Sequence, residues 1–170
     1  MKRTDYEGVA ARYEQSPWRR RVAPDPLLGA RLDAAGEHAV TVLDVGCGTG
    51  VLGAAALVLG STSLVAIDID PAAVAATGAA LELNGVDDRA VVSATPLAEV
   101  PGSFDLVLAN LLVPIIEELG PALVAHLAPG GVLVASGLLA SQVDRAVAAL
   151  SPLRVEAVLR EEDWVALTLR

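Results

Sequence analysis

Residues Val42 to Gly50 read V-L-D-V-G-C-G-T-G, and Asp68 follows Gly50 by eighteen residues, with Asp70 close behind. An apolar run passes into a cluster of glycines, then a helical stretch, then a second apolar run closed by an acid. Glycines let the backbone turn sharply and come close to a ligand, which a Cβ would prevent. The helix that follows turns its free N–H groups toward the same place. An acid about 20 residues on is placed to accept hydrogen bonds from ribose hydroxyls. The pattern predicts a nucleotide-cofactor site at the end of a first β-strand.

From residue 39 onward strand-like and helix-like stretches alternate. Apolar runs at 40–45, 64–67, 90–92, 104–109 and 132–135 read as strands. Between them 51–59, 71–84, 114–127 and 139–150 read as helices. Pro71 and Pro114 suit the first helical turn, where the missing N–H costs nothing. Asn84-Gly85 and Pro129-Gly130-Gly131 read as stops. Strands without polar alternation are buried on both faces, which predicts a parallel sheet flanked by helices. The tail breaks the alternation. Stretches 154–159 and 164–169, joined by Arg160-Glu161-Glu162-Asp163, leave no room for a helix and predict an antiparallel hairpin.

The chain has 170 residues, long enough for one well-packed domain, and is 54% hydrophobic but only 3% aromatic, so Ala, Val and Leu must fill its core. Cys47 is alone, which excludes an internal disulfide, and His38 and His126 lie too far apart in sequence to suggest a metal site. No apolar stretch is long enough to span a bilayer and the polar start lacks a signal-peptide core, so a cytoplasmic location without membrane association is expected. Charge is uneven: residues 1–31 carry +3 and the remainder −12. So acidic a body disfavours tight nucleic-acid binding and would attract a cationic substrate such as an amine.

Gly48-Thr49-Gly50-Val51-Leu52-Gly53 also fits the G-x-G-x-x-G dinucleotide pattern. Asp44 argues for another cofactor, because a carboxylate just before the turn would repel a pyrophosphate. S-adenosylmethionine instead brings an ammonium and a sulfonium and carries no phosphate.

At these residues the chain resembles class I S-adenosylmethionine-dependent methyltransferases, over about residues 39–170. Asp44-Val45-Gly46-Cys47-Gly48-Thr49-Gly50 matches the family's first motif. The resemblance implies a Rossmann-like α/β fold: a seven-stranded, mostly parallel sheet, an antiparallel C-terminal hairpin, and helices on both faces. It implies that Asp44 and the loop Gly46, Cys47, Gly48, Thr49 and Gly50 receive the methionine part of the cofactor. Asp68 would hold the ribose hydroxyls, Ile69 would pack on adenine, and backbone at Ala94 would meet the adenine edge. S-adenosylhomocysteine would be the product.

Within the class, Ala109-Asn110-Leu111-Leu112, Pro129-Gly130-Gly131, Ser136-Gly137-Leu138-Leu139 and Glu162-Asp163-Trp164-Val165-Ala166-Leu167 together resemble the PrmA-type enzymes, which trimethylate amines of a ribosomal protein. Those enzymes carry a separate N-terminal recognition domain, for which residues 1–36 are too few. That segment, with Tyr6, Val9, Ala10 and Tyr13 at helical spacing, reads as a helical lid or packing segment ahead of a methyltransferase domain at 37–170.

The expected reaction is N-methylation of an amine in a protein or small molecule. Asn110, at the carboxyl edge of the fourth strand, and the backbone around Leu111 are the expected catalytic groups, accepting hydrogen bonds from the attacking nitrogen; Asn110 is also expected to contact the cofactor. His126 is expected at the surface or as a helix cap, and Cys47 to pack within the loop. A small-molecule O- or C-methyltransferase and a non-catalytic S-adenosylmethionine-binding module stand as alternatives.

Overall fold

The computed structural model describes residues 40–170. The expected N-terminal segment 1–36 lies outside the described residues. The chain begins with strand β1 (Thr41–Val45), helix α1 (Val51–Val58), β2 (Ser63–Ile67), α2 (Pro71–Leu83) and β3 (Ala90–Ser93). It continues through β4 (Phe104–Asn110), α3 (Val113–Ala125), β5 (Leu127–Leu139), α4 (Val143–Ala149), β6 (Val155–Glu161) and β7 (Trp164–Leu169).

All seven strands form one sheet in the order β3-β2-β1-β4-β5-β7-β6. The first five are mutually parallel, and β7 lies antiparallel between β5 and β6. This is the mixed sheet with a closing hairpin that the sequence predicts. Building from β1 runs outward to β3 and then returns to place β4 on the other side of β1. Ligands of open α/β sheets bind where the order reverses, beyond the carboxyl ends of the strands. Here that place lies between Val45 and Asn110.

The apolar runs explain the layers. Side chains alternate across a strand, so β1 sends Leu43 and Val45 to one face and Val42 to the other. The first face, with Val107, Leu133 and Leu167, is covered by Ile116 and Leu123 of α3 and Ala146 of α4. The second, with Leu64, Ala66 and Leu106, is covered by Ala54, Ala56 and Leu57 of α1 and Leu81 of α2. α2 begins as its residues predict, with Pro71 first and the Asp70 carboxylate accepting from Ala72 N at 2.8 Å. α3 and α4 are further tied by a bidentate pair, Arg145 to Glu117, at 2.8 and 2.7 Å.

Three expectations are corrected. Leu139 ends β5 instead of opening a helix, because it pairs with Trp164, and α4 starts only at Val143 after a short 3-10 turn. Pro129-Gly130-Gly131 lies inside β5, whose start at Leu127 pairs with Phe104 across a register shift. His126 does occupy the cap position after α3 but is buried, with Nδ1 2.7 Å from the Ala122 carbonyl oxygen and Nε2 3.0 Å from that of Val100.

The sheet's two edges differ. β3 is four residues long, while β6 runs for seven, exposed on nearly all of them, with Glu156, Arg160 and Glu161 among its apolar side chains. Glu162 and Asp163 close the hairpin, Glu162 in the left-handed region at φ 53°.

Arg89, just before β3, reaches back to the end of α1. Its guanidinium donates to the carbonyl of Leu57 at 3.2 Å, which also accepts from Gly60 N, and to that of Ser61, beyond the helix end, at 2.8 Å. Arg89→Ala is expected to destabilise the fold by about 1–2 kcal/mol in urea unfolding, since charged donors to carbonyls are worth somewhat more than neutral ones. Cofactor affinity measured on the folded fraction should be unchanged, because the contact lies at the opposite end of α1 from the glycine loop.

Candidate active site

Val45 ends β1, and the chain turns at once. Gly46 N and Cys47 N both donate to the Ile67 carbonyl, at 2.8 and 3.0 Å, which ties the loop to the end of β2. Gly46, Gly48 and Gly50 all have positive φ, at 71°, 57° and 77°. The need is plainest at Gly50: a Cβ there would sit 2.9 Å from Thr77 Cα of α2, so a side chain is excluded by space as well as by conformation. Gly48 is different. A Cβ on it would meet only the Gly46 carbonyl oxygen, at 3.9 Å, so it faces open space over the loop.

Two carboxylates brace this loop. Asp44, 1% exposed, accepts from Gly53 N at 3.1 Å and so pins the first turn of α1 to the end of β1. Gly53 permits the approach, since a Cβ there would press on Leu64 and lie 3.2 Å from Asp44 Oδ2. The third glycine of the dinucleotide-like pattern therefore has a packing role. Asp68 is half-buried at the end of β2. Its Oδ2 accepts from Gly48 N at 3.0 Å and its Oδ1 from Asp70 N at 2.9 Å. Each oxygen retains a further lone pair, so the fixed carboxylate can still accept from hydroxyls.

Burial pushes the Asp44 carboxyl up to about 7, against the lowering effect of the Gly53 hydrogen bond and with help from the nearby Asp68 charge. Burial likewise raises the Cys47 thiol, to about 11, so it packs as a neutral side chain. Thr77 was not singled out from the sequence, yet it is buried and its hydroxyl lies 3.2 Å from both Cys47 Sγ and the Gly48 carbonyl oxygen. Its signal was visible: it is the one polar side chain on the buried stripe Ala73, Thr77, Leu81 of an alanine-rich helix.

The other predicted residues surround the same crevice. Ile69 follows Asp68 and is 84% exposed. Ala94, also exposed, follows β3, beside Asp68 N, which donates to the Ser93 carbonyl at 3.2 Å. Thr49 is exposed at the crest of the loop. Asn110 ends β4, and Leu111 leans over Gly46, where a Cβ would come within 2.5 Å of Leu111 Cδ2. Asp44 lies buried underneath, where it meets the loop through Gly53 N. Among the described residues no group of three or more His, Cys, Asp or Glu is arranged to hold a metal ion.

A glycine loop open at Gly48, two carboxylates under and beside it, and an exposed apolar side chain next to the second carboxylate fit a cationic nucleoside better than a pyrophosphate. With the 3-2-1-4-5-7-6 sheet, they give the Rossmann-like fold of the methyltransferases.

Comparison with known proteins narrows this class. The family model for ribosomal protein L11 methyltransferase (PrmA) matches residues 30–170, and the chain belongs to that family. Ribosomal protein L11 methyltransferases of a Geobacter species and of Dechloromonas aromatica are 45% and 46% identical to it over 129 and 134 residues. These matches cover 76% and 77% of this chain but only 42% and 44% of those relatives, so the chain spans less than half their length. The crystal structure of the ribosomal protein L11 methylase of Lactobacillus delbrueckii subsp. bulgaricus superposes with a TM-score of 0.75 at 33% identity, over 84% of this chain and 76% of that one. An RNA methyltransferase from Salinibacter ruber, solved with S-adenosylhomocysteine, shares the fold at a TM-score of 0.63 and 23% identity, over 85% and 90% of the two chains. No helix among the described residues is long and apolar enough to cross a membrane.

The raised Asp44 carboxyl has two pH consequences of defined sign. The folded protein holds a proton that the unfolded chain releases near its ordinary value of 3.8, so the Asp44 contribution to stability falls as pH rises from about 4 to about 7. A cationic cofactor favours the ionised form, so its affinity should be up to about tenfold weaker at pH 6 than at pH 7.5. Asp44→Asn should flatten both dependences in urea unfolding and in calorimetric titration with S-adenosylmethionine. Equal wild-type affinities at the two pH values would remove Asp44 from cofactor electrostatics.

Proposed function

We propose that the chain N-methylates an amine, and that the amine belongs to the ribosomal protein for which its relatives are named. The observation carrying this reading is the corner after β4. Asn110 is exposed there beside the glycine loop and offers a neutral carboxamide, and the backbone around Leu111 adds carbonyl acceptors. Neutral acceptors suit a nitrogen nucleophile. A neutral amine attacks without a strong base and needs only its N–H groups oriented so that the lone pair faces the methyl carbon.

S-adenosylmethionine, when bound, supplies the electrophilic methyl carbon. This chain's residues bind, orient and polarise. The loop Gly46, Cys47, Gly48, Thr49 and Gly50 cradles the methionine part with Asp44 beneath it. Asp68 accepts from the ribose hydroxyls, Ile69 gives apolar surface to adenine, and backbone at Ala94 borders the adenine edge. Asn110 serves both sides, touching the cofactor and accepting from the amine, while Leu111 closes the corner over Gly46. The negative charge around the crevice draws a protonated amine toward the site, and the proton it sheds before attack passes to water.

The test is transfer of tritiated methyl groups from S-adenosylmethionine to purified ribosomal protein L11. Lys2 is the chain's single lysine, so label separated with the acceptor has little competition from self-modification. Label on amines of that protein is the expected result; label only on hydroxyl or carbon acceptors would favour a small-molecule enzyme. Cofactor binding without any transfer would favour a binding module.

Two substitutions test the cofactor assignments by calorimetry. Asp68→Ala should weaken S-adenosylmethionine binding by roughly 1–3 kcal/mol through lost charged hydrogen bonds. Gly48→Val should abolish binding, because its side chain would enter the open space over the loop. Unchanged affinity in either folded variant would place the cofactor elsewhere.

A further inference from the structure

We infer that Gly137 is a positioning residue for Asn110: the absence of a side chain in the β5 bulge sets where the Asn110 carboxamide points. β4 and β5 pair in register up to Asn110 and Ser136. On its other side β5 loses register with β7 between Ala135 and Leu138, so the irregularity falls directly after the residue that faces Asn110. Gly137 turns there with φ 75°. A Cβ on it would overlap Asn110 Oδ1, lie 3.5 Å from Asn110 Cγ and 3.9 Å from Leu111 N.

The carboxamide itself makes no hydrogen bond among the described residues. Shape must therefore do what a hydrogen bond does elsewhere. The floor under Oδ1 is the bare Cα of Gly137, and the neighbouring Leu111 is seated over Gly46. Two glycines, one in the loop after β1 and one in β5, thus meet the two residues of the corner that carries the acceptor groups. Bulges of this kind re-aim a neighbouring side chain without breaking the sheet. An alanine at 137 would drive the carboxamide out of its present direction while leaving the glycine loop as it is.

The kinetic arm rests on the N-methyltransferase reading, and the spectroscopic arm does not. Wild type, Asn110→Ala, Gly137→Ala and the double variant form a cycle, read as kcat for methyl transfer from S-adenosylmethionine to ribosomal protein L11. Gly137→Ala should lower kcat about 10- to 100-fold, the scale of a misplacement near 1 Å. In the Asn110→Ala background the same change should cost less than about twofold, because the group it displaces is gone. Losses that multiply would assign Gly137 a purely structural role and overturn the inference.

The second arm follows the Asn110 side-chain amide in ¹H–¹⁵N spectra, assigned by its disappearance in Asn110→Ala. It should move in Gly137→Ala while resonances of the β6–β7 hairpin stay in place. An unmoved amide overturns the inference whether or not the ribosomal protein accepts a methyl group. Should Gly137→Ala fail to fold, Gly137→Asn serves in both arms, since asparagine tolerates positive φ yet still places a Cβ against Oδ1.

Discussion

The hydrogen bond from Gly53 N to the buried carboxylate of Asp44 fixes the relation between the first strand and the first helix, and the site is built on that relation. It stops α1 from drifting off the end of β1. The loop between them must then close over a short distance, which only left-handed backbone achieves. Gly46, Gly48 and Gly50 supply that backbone, and Asp68 locks the result from the side by accepting from Gly48 N. Thr77 completes the brace from α2, so three elements hold one short loop whose open face is the bare Gly48.

The same arrangement sets stability against function. A carboxylate 1% exposed, with a second carboxylate near it and no cation beside it among the described residues, is an expensive group to ionise. Replacing it with a neutral side chain would ease the fold at neutral pH. Its ionised form places a negative potential under the glycine loop. Perturbed ionisable groups gather where a protein needs them for chemistry.

Much of this was legible in the chain. Apolar runs without polar alternation gave the buried parallel strands, and the spacing from Val42-Gly50 to Asp68 brought that acid against the glycine loop. The short link Arg160-Glu161-Glu162-Asp163 gave the closing hairpin. What remained hidden depended on partners distant in sequence. Leu139 looks like the start of a helix until Trp164 pairs with it. His126 looks like a surface residue until the Val100 carbonyl meets its ring. Thr77 shows only as a polar residue on an apolar stripe, and Gly137 only as part of a longer segment; the first matters because α2 packs on the loop, the second because a bulge places it against Asn110. Periodicity reports which face is buried, but not which atom lies on the other side of the contact.

The unequal edges of the sheet bear on how this molecule behaves in a crowd. An open edge is a template for another chain's strand, and proteins blunt it by brevity or by charge. β3 uses the first device, with four residues too few to nucleate an added strand. β6 is long and carries Val155, Val158 and Leu159 in the open, so it depends on the second: Glu156, Arg160 and Glu161 interrupt the apolar run. An added strand would have to strip water from each of those charges. Neutralising those three side chains would leave the glycine loop untouched, yet would make β6 a continuous uncharged edge open to another strand.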